Sequence, residues 1–303
     1  MLRRSLLLPC LTAFLLAACG PAPTPVPVSS TPRVLAAESF LADLAQNVAG
    51  DRLKVGLLVP LGVDPHEYQP TPRDMARLSD SQVLIVNGIG YEWWLQKTLA
   101  AVGGQRLVVT ASAGLTPLQD PSGAEKAGDP HMWLDPTRAV RYVENIRDGL
   151  SRADPAGAAV YAANAAAYID QLTALDSWIA GQVVTIPSGR RLLVTNHDSL
   201  AYFAARYGFT VVGALIPSVS TDAAPTARDL VSLVDQIRKT GAPAIYLETT
   251  ANPKLAEQVA AETGIPVVSD LYLESLSAPG GPAPTYLEML RHDVSAIVAA
   301  STH

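Results

Sequence analysis

The chain has 303 residues, of which 49% are hydrophobic and 17% charged, and a formal charge of −6 at pH 7. That is enough apolar material for one large core or two ordinary ones, and the acidic balance gives no footing for nucleic acid or anionic lipid. The two cysteines, Cys10 and Cys19, both lie near the N-terminus, so no disulfide framework holds the body together.

Residues 1–18 contain Arg3 and Arg4, an apolar run from Leu6 to Leu16, and small residues ahead of Cys19. This is the pattern of a bacterial lipoprotein signal, cut before a cysteine that then carries the lipid. The run is too short to span a membrane permanently. Loss of Arg3 and Arg4 takes the formal charge to −8. Residues 19–32 are rich in proline and cannot pack a core, so they read as a lipid-anchored, semi-extended tether. The address is the bacterial cell envelope, outside the cytoplasm.

After the tether, strands are expected over Arg33 to Ala37, Leu53 to Pro60, Gln82 to Asn87 and Arg106 to Thr110. A helix is expected over Ser39 to Val48, and Thr71-Pro72-Arg73-Asp74 marks another helix start, with Thr71 as its cap. The second half alternates in the same way. Strands read over Arg191 to Thr195, Thr210 to Leu215, Ala242 to Leu247 and Pro266 to Asp270, with helical stretches from Ser199, Thr226 and Asn252. The segment Pro225-Thr226-Ala227-Arg228-Asp229 echoes Pro70 to Asp74, either as a trace of duplication or as reuse of a good capping box.

Between the halves, residues 154–183 read as one uninterrupted helix. Asp154 suits the cap and Pro155 the first turn. Tyr161, Ala165, Tyr168, Leu172, Leu175 and Ile179 recur at helical spacing and mark a buried stripe. At 1.5 Å per residue the helix runs roughly 40 Å, long enough to serve two lobes. The expected architecture is therefore α/β, with two (β/α) lobes of parallel-type sheets, residues 33–153 and 184–303, joined by this backbone helix.

Five histidines are present. His303 ends the chain, and His292 falls on the last helix as a solvated or locally paired residue. His66, His131 and His197 instead lie on loops or strand ends, where open parallel sheets bind ligands. Asp64-Pro65-His66 and Asp129-Pro130-His131 share one core, a carboxylate two residues before the ring and a proline that stiffens the approach. Metal-bound imidazoles usually give their other N–H to an oxygen, which makes Asp64, Asp129, Asp135 and Asp198 candidate supports. A fourth donor is expected from the loop Asp270 to Ser275, and spacing alone does not choose between Asp270 and Glu274.

Val63 to Pro72, Asp129-Pro130-His131-Met132-Trp133-Leu134-Asp135-Pro136 and Thr195-Asn196-His197-Asp198 resemble the zinc- and manganese-type solute-binding lipoproteins of ABC transporters. Ser220-Thr221-Asp222, Asn252 to Glu257 and Tyr286 to Arg291 extend the resemblance over nearly the whole mature chain. It implies a metal ion held between two lobes as cargo, with no catalytic cofactor, and delivery to a membrane permease with its ATPase. His66 and His131 would be the ligands of the first lobe and His197 the first of the second. Glu274 would be the fourth, in a Tyr-x-Glu-Ser context where the family usually has Tyr-x-Asp-Ser. Manganese-type relatives commonly carry glutamate at the position of His197, and no histidine-rich loop is present between Thr116 and Gly128.

Three imidazoles and one carboxylate favour Zn²⁺, with Mn²⁺ next. A monomer is expected. A zinc hydrolase with three histidines and a water is the main rival. No Gly-x-Ser-x-Gly or His-Glu-x-x-His motif supports it, and Ser199 reads as part of a helix start. A surface adhesin would also suit an exposed lipoprotein, but no adhesive repeat is found.

Overall fold

The computed structural model describes residues 31–120, 123 and 126–302. The expected signal, the lipidation site Cys19, the tether up to Ser30, and His303 lie outside them. Strands β1 (Val34–Ala36), β2 (Val55–Leu57), β3 (Val83–Val86) and β4 (Leu107–Thr110) form a sheet in the order β2-β1-β3-β4, all parallel. Strands β5 (Leu192–His197), β6 (Thr210–Ile216), β7 (Ile245–Glu248) and β8 (Val267–Leu271) form a second in the order β6-β5-β7-β8, again all parallel. The two lobes thus wind identically. Helices connect the strands because parallel neighbours need a crossover.

In the first lobe these are α1 (Ser39–Ala49), α2 (Pro72–Asp80) and α3 (Leu95–Val102); α4 (Pro136–Ala153) follows β4. The second has α6 (Ala201–Tyr207), α7 (Ala227–Thr240) and α8 (Lys254–Thr263), and α9 (Tyr286–Thr302) closes the chain. Both α2 and α7 open on a complete capping box, Thr71 with Asp74 and Thr226 with Asp229. Each stands between the second and third strand of its sheet, so the sequence echo falls at equivalent places in the two lobes.

Strand β3 is buried along its length, with Val83 and Ile85 facing one apolar layer and Leu84 and Val86 another. A strand covered on both faces needs no polar alternation. The inner layer is continuous between the lobes. It gathers Phe40, Trp133 and Tyr142 from the first and Phe203, Tyr246 and Tyr286 from the second around the buried stripe of α5 (Ala158–Val183).

That stripe is Tyr161, Ala165, Tyr168, Leu172, Leu175 and Ile179, as the periodicity predicts, and it runs on to Val183. Its start differs from the expectation. A 3-10 turn, Pro155–Gly157, precedes α5, and Asp154 ends α4 instead of capping the long helix. Its carboxylate takes two hydrogen bonds from Arg52, at 2.6 and 2.8 Å, and one from the Tyr161 hydroxyl at 2.6 Å. A charged partner from α1's C-terminal turn outcompetes the backbone N–H groups that a cap would have satisfied. Ser199 likewise caps nothing: α6 begins at Ala201 and the buried Ser199 Oγ has no partner.

Leu172 is fully buried where α5 serves the shared layer. Leu172→Ala should cost about 2–5 kcal/mol in urea unfolding of the metal-free chain. The exposed neighbour Thr173→Ala should stay within about 0.5 kcal/mol of the parent.

Candidate metal centre

The two Asp-Pro-His loops adopt one turn. Asp64 Oδ1 accepts the backbone N–H of His66 at 2.8 Å, and Asp129 Oδ1 that of His131 at 2.9 Å. An aspartate bonding two residues ahead, with proline fixing φ between, sets the backbone before the ring is placed. Beyond this the loops diverge. Asp129 Oδ1 also lies 2.8 Å from His131 Nδ1, whereas Asp64 Oδ2 accepts the Thr221 hydroxyl of the second lobe at 2.7 Å.

His197 is the last residue of β5, and its Nδ1 lies 2.8 Å from Oε1 of Glu248, the last residue of the adjacent β7. Asn196 donates to the same oxygen at 2.8 Å. Glu274 follows β8 on a segment that the first lobe holds: Leu273 O accepts the Trp133 indole N–H at 2.8 Å, and Leu276 N–H donates to Ser39 Oγ at 2.9 Å. Gly62 N–H donates to Ser275 Oγ at 2.8 Å. The carboxylate therefore comes from the second lobe's sequence but is braced by the first.

These placements bring His66, His131, His197 and Glu274 together, all buried. His66 Nε2 is 3.4 Å from His131 Nε2, which is 3.2 Å from His197 Nε2. Glu274 Oε1 stands 3.0 Å from His66 Nε2 and 3.3 Å from each of the other two. Donors placed tetrahedrally about 2.0–2.1 Å from an ion lie about 3.3–3.4 Å from one another. With Nδ1 of His131 and His197 engaged by carboxylates, their Nε2 lone pairs are free to face a common centre.

The electrostatics agree with that donor character. Burial alone would lower the His131 pKa, but the Asp129 and Glu274 carboxylates outweigh it and raise it. The same contest, with Glu248 and Glu274 as partners, takes His197 well above its ordinary value. Burial pulls Glu274 upward, yet the charges on His66 and His197 and the hydrogen bonds of His131 and His197 hold it well below the carboxylate range. Protons here stand where a cation can replace them.

Of the other residues read from sequence, Asp129 supports a ring, Asp64 holds the His66 backbone and the Thr221 hydroxyl but no ring, and Asp135 caps α4 by accepting Thr137 N–H at 2.9 Å. Asp198 makes no hydrogen bond to any of the rings. Asp270 is exposed, its backbone oxygen accepts from His292 Nε2 at 2.9 Å, and it stands outside the cluster. Glu248 escaped sequence reasoning. Leu247-Glu248-Thr249 carries no local signal, and only the β5–β7 pairing sets it beside His197.

Two identically wound parallel lobes with a buried donor cluster at their seam define a two-lobed solute-binding protein. Residues 34–300 match the family described as Zinc-uptake complex component A periplasmic, and the chain belongs to it. It is similar to the manganese-binding lipoprotein MntA of Halalkalibacterium halodurans, 36% identical over 268 residues, 88% of this chain and 87% of the relative. The iron-binding protein YfeA of Yersinia pestis is 34% identical over 266 residues, covering 88% and 85%. Among solved structures, the periplasmic zinc binding protein TroA from Treponema pallidum superposes with a TM-score of 0.84 at 29% identity, covering 90% of this chain and 100% of that one. The chain is thus the substrate-binding component of a metal ABC transporter, with a permease and an ATPase implied as partners, and not an enzyme. Neither the hydrolase nor the adhesin reading finds support among these relatives.

Burial also pushes Asp43 and Asp198 up to about 6 and Glu92 up to about 7. A group whose folded pKa is raised keeps its proton longer in the folded chain. Its stabilisation is complete below the unfolded pKa and is lost as pH climbs through the folded one. With His131 and His197 raised as well, the metal-free chain should lose thermal stability from about pH 5 to pH 8. Metal binding must displace protons, so the gain on adding metal should grow over the same range. Melting curves with and without chelator measure both slopes, and a metal-free midpoint that rises with pH would contradict the assignment.

Proposed function

We propose that His66, His131, His197 and Glu274 hold one divalent transition metal as cargo, Zn²⁺ in preference and Mn²⁺ next, for delivery to the permease. The chain would act as a monomer outside the cytoplasm, anchored to the membrane through a lipid on Cys19. Among the described residues no helix is long and apolar enough to cross a membrane, so attachment would rest on that lipid. The observation that carries the reading is the spacing of the four donor atoms, 3.0–3.4 Å for the five pairs in hydrogen-bond range. Three nitrogens and one oxygen at tetrahedral separations suit Zn²⁺, while Mn²⁺ prefers more oxygen.

One feature favours a second metal. Glu274 Oε2 is buried without a hydrogen-bond partner. A carboxylate with an idle oxygen can bind through both, raising the oxygen count toward what Mn²⁺ prefers. Relatives named for manganese, iron and zinc all resemble this chain, so donor set and reach would decide among cargoes.

Zn²⁺ added to chelator-stripped protein at a thousandfold excess over its dissociation constant should stabilise the fold by about 4 kcal/mol. His66→Ala, His131→Ala and His197→Ala should each remove most of that gain in calorimetry, and His292→Ala none of it. Glu274→Gln should weaken both Zn²⁺ and Mn²⁺ in competition titrations, because a neutral amide supplies no charge to the cation. A full thermal shift in His131→Ala would overturn the assignment.

A further inference from the structure

The four donors are not held alike. His131 and His197 have Nδ1 engaged by Asp129 and Glu248, but among the described residues nothing is hydrogen-bonded to Nδ1 of His66. Its position depends on its backbone. The His66 N–H is held by Asp64, and its carbonyl accepts the indole N–H of Trp93 at 2.5 Å. Trp93 precedes α3 and is 56% exposed, an unusual state for so large an apolar ring.

The same ring borders a cavity that reaches His66. A cavity of about 60 Å³ is lined by His66, Tyr91 and Trp93 from the first lobe and by Val219, Ser220 and Asp222 from the second. Of the four donors only His66 lines it. Beyond Trp93 lies a surface groove of about 420 Å³ that includes Gln69, Met75 and Lys97, so the indole has room to swing outward.

Resting on the reading of the site given above, we propose that Trp93 is the gate and positioning residue of the metal centre. Its ring closes the cavity over His66, and its N–H holds the His66 backbone so that Nε2 stays at the donor distance. An outward swing opens the path and at the same time frees the one imidazole whose Nδ1 no carboxylate steadies. Release of the ion then starts at His66, while His131, His197 and Glu274 keep their supports.

Two substitutions in the full chain separate the two roles, with Zn²⁺ as the probe and release followed by stopped-flow mixing with excess chelator. Trp93→Phe keeps a ring over the cavity but removes the donor; it should release Zn²⁺ about three- to tenfold faster, the worth of one hydrogen bond, with uptake unchanged. Trp93→Ala removes ring and donor, and should speed both uptake and release. Because the side chain is exposed and its loss opens no core cavity, the metal-free thermal midpoints of both should fall by no more than that one hydrogen bond is worth, so faster release is told apart from a general loss of stability. Trp178→Phe, far along the sequence on α5, should behave as the parent. Parental release rates in Trp93→Phe with intact Zn²⁺ binding would overturn this proposal alone. A parental chain that takes up no Zn²⁺ would overturn the reading of the site and this proposal with it.

Discussion

Three imidazoles and a carboxylate packed at 3.0–3.4 Å and cut off from water need positive charge among them. Asp129 and Glu248, themselves buried against the outer nitrogens, deepen that need. Protons can supply it, which is why His131 and His197 are driven to hold theirs. A divalent cation supplies more charge at one point and satisfies four donors together. Protons and a metal ion would thus compete to meet one demand for positive charge, and loops of both lobes are arranged around it.

No single lobe can build that arrangement. Each sheet presents the carboxyl ends of its strands at the seam, and the first contributes only His66 and His131 there. The other two come from the ends of β5 and β8, brought into register because both lobes pack on the shared layer along α5. The bracing of the Glu274 segment by Trp133, Ser39 and Gly62 ties the fourth donor to the opposite lobe. Separation of the lobes would therefore strain the carboxylate's own loop as well as the coordination.

What the sequence made legible was short in range. Periodicity gave the stripe of α5, and residue pairs three apart gave the boxes at Thr71 and Thr226. The Asp-Pro-His repeats announced two turns. Longer reach defeated it at particular residues. Asp154 looks like a cap until Arg52, a hundred residues away in sequence, takes its carboxylate. Asp135 and Pro136 carry the same cap-and-proline signal that marks other helices and open α4, an 18-residue helix, but they stand inside the Asp-Pro-His-Met-Trp-Leu-Asp-Pro motif and α4 is missing from the expected elements. Strand pairing alone reveals Glu248. Asp270 and Glu274 could not be separated by spacing; β8 runs on to Leu271, which leaves Asp270 on the exposed strand end beside His292 and carries Glu274 into the seam.

One more device backs the site without touching the ion. Glu38, just before α1, is buried and is pushed well above the carboxylate range by that burial and by the neighbouring Glu92, so it keeps its proton. Glu92 in turn accepts the backbone N–H groups of Asn87 and Gly88. Those groups begin the turn Gly88-Ile89-Gly90, where all three residues have positive φ, at 90°, 57° and 80°. For a β-branched residue such as Ile89 that conformation is strained and persists only when its surroundings impose it. Ile89 and Gly90 line the cavity above His66. Glu92 therefore holds a costly turn in place, and the turn forms part of the cavity wall around Trp93 and His66. The same low-dielectric setting that draws positive charge to the donors also keeps Glu38 neutral, which spares Glu92 the repulsion of a second buried carboxylate.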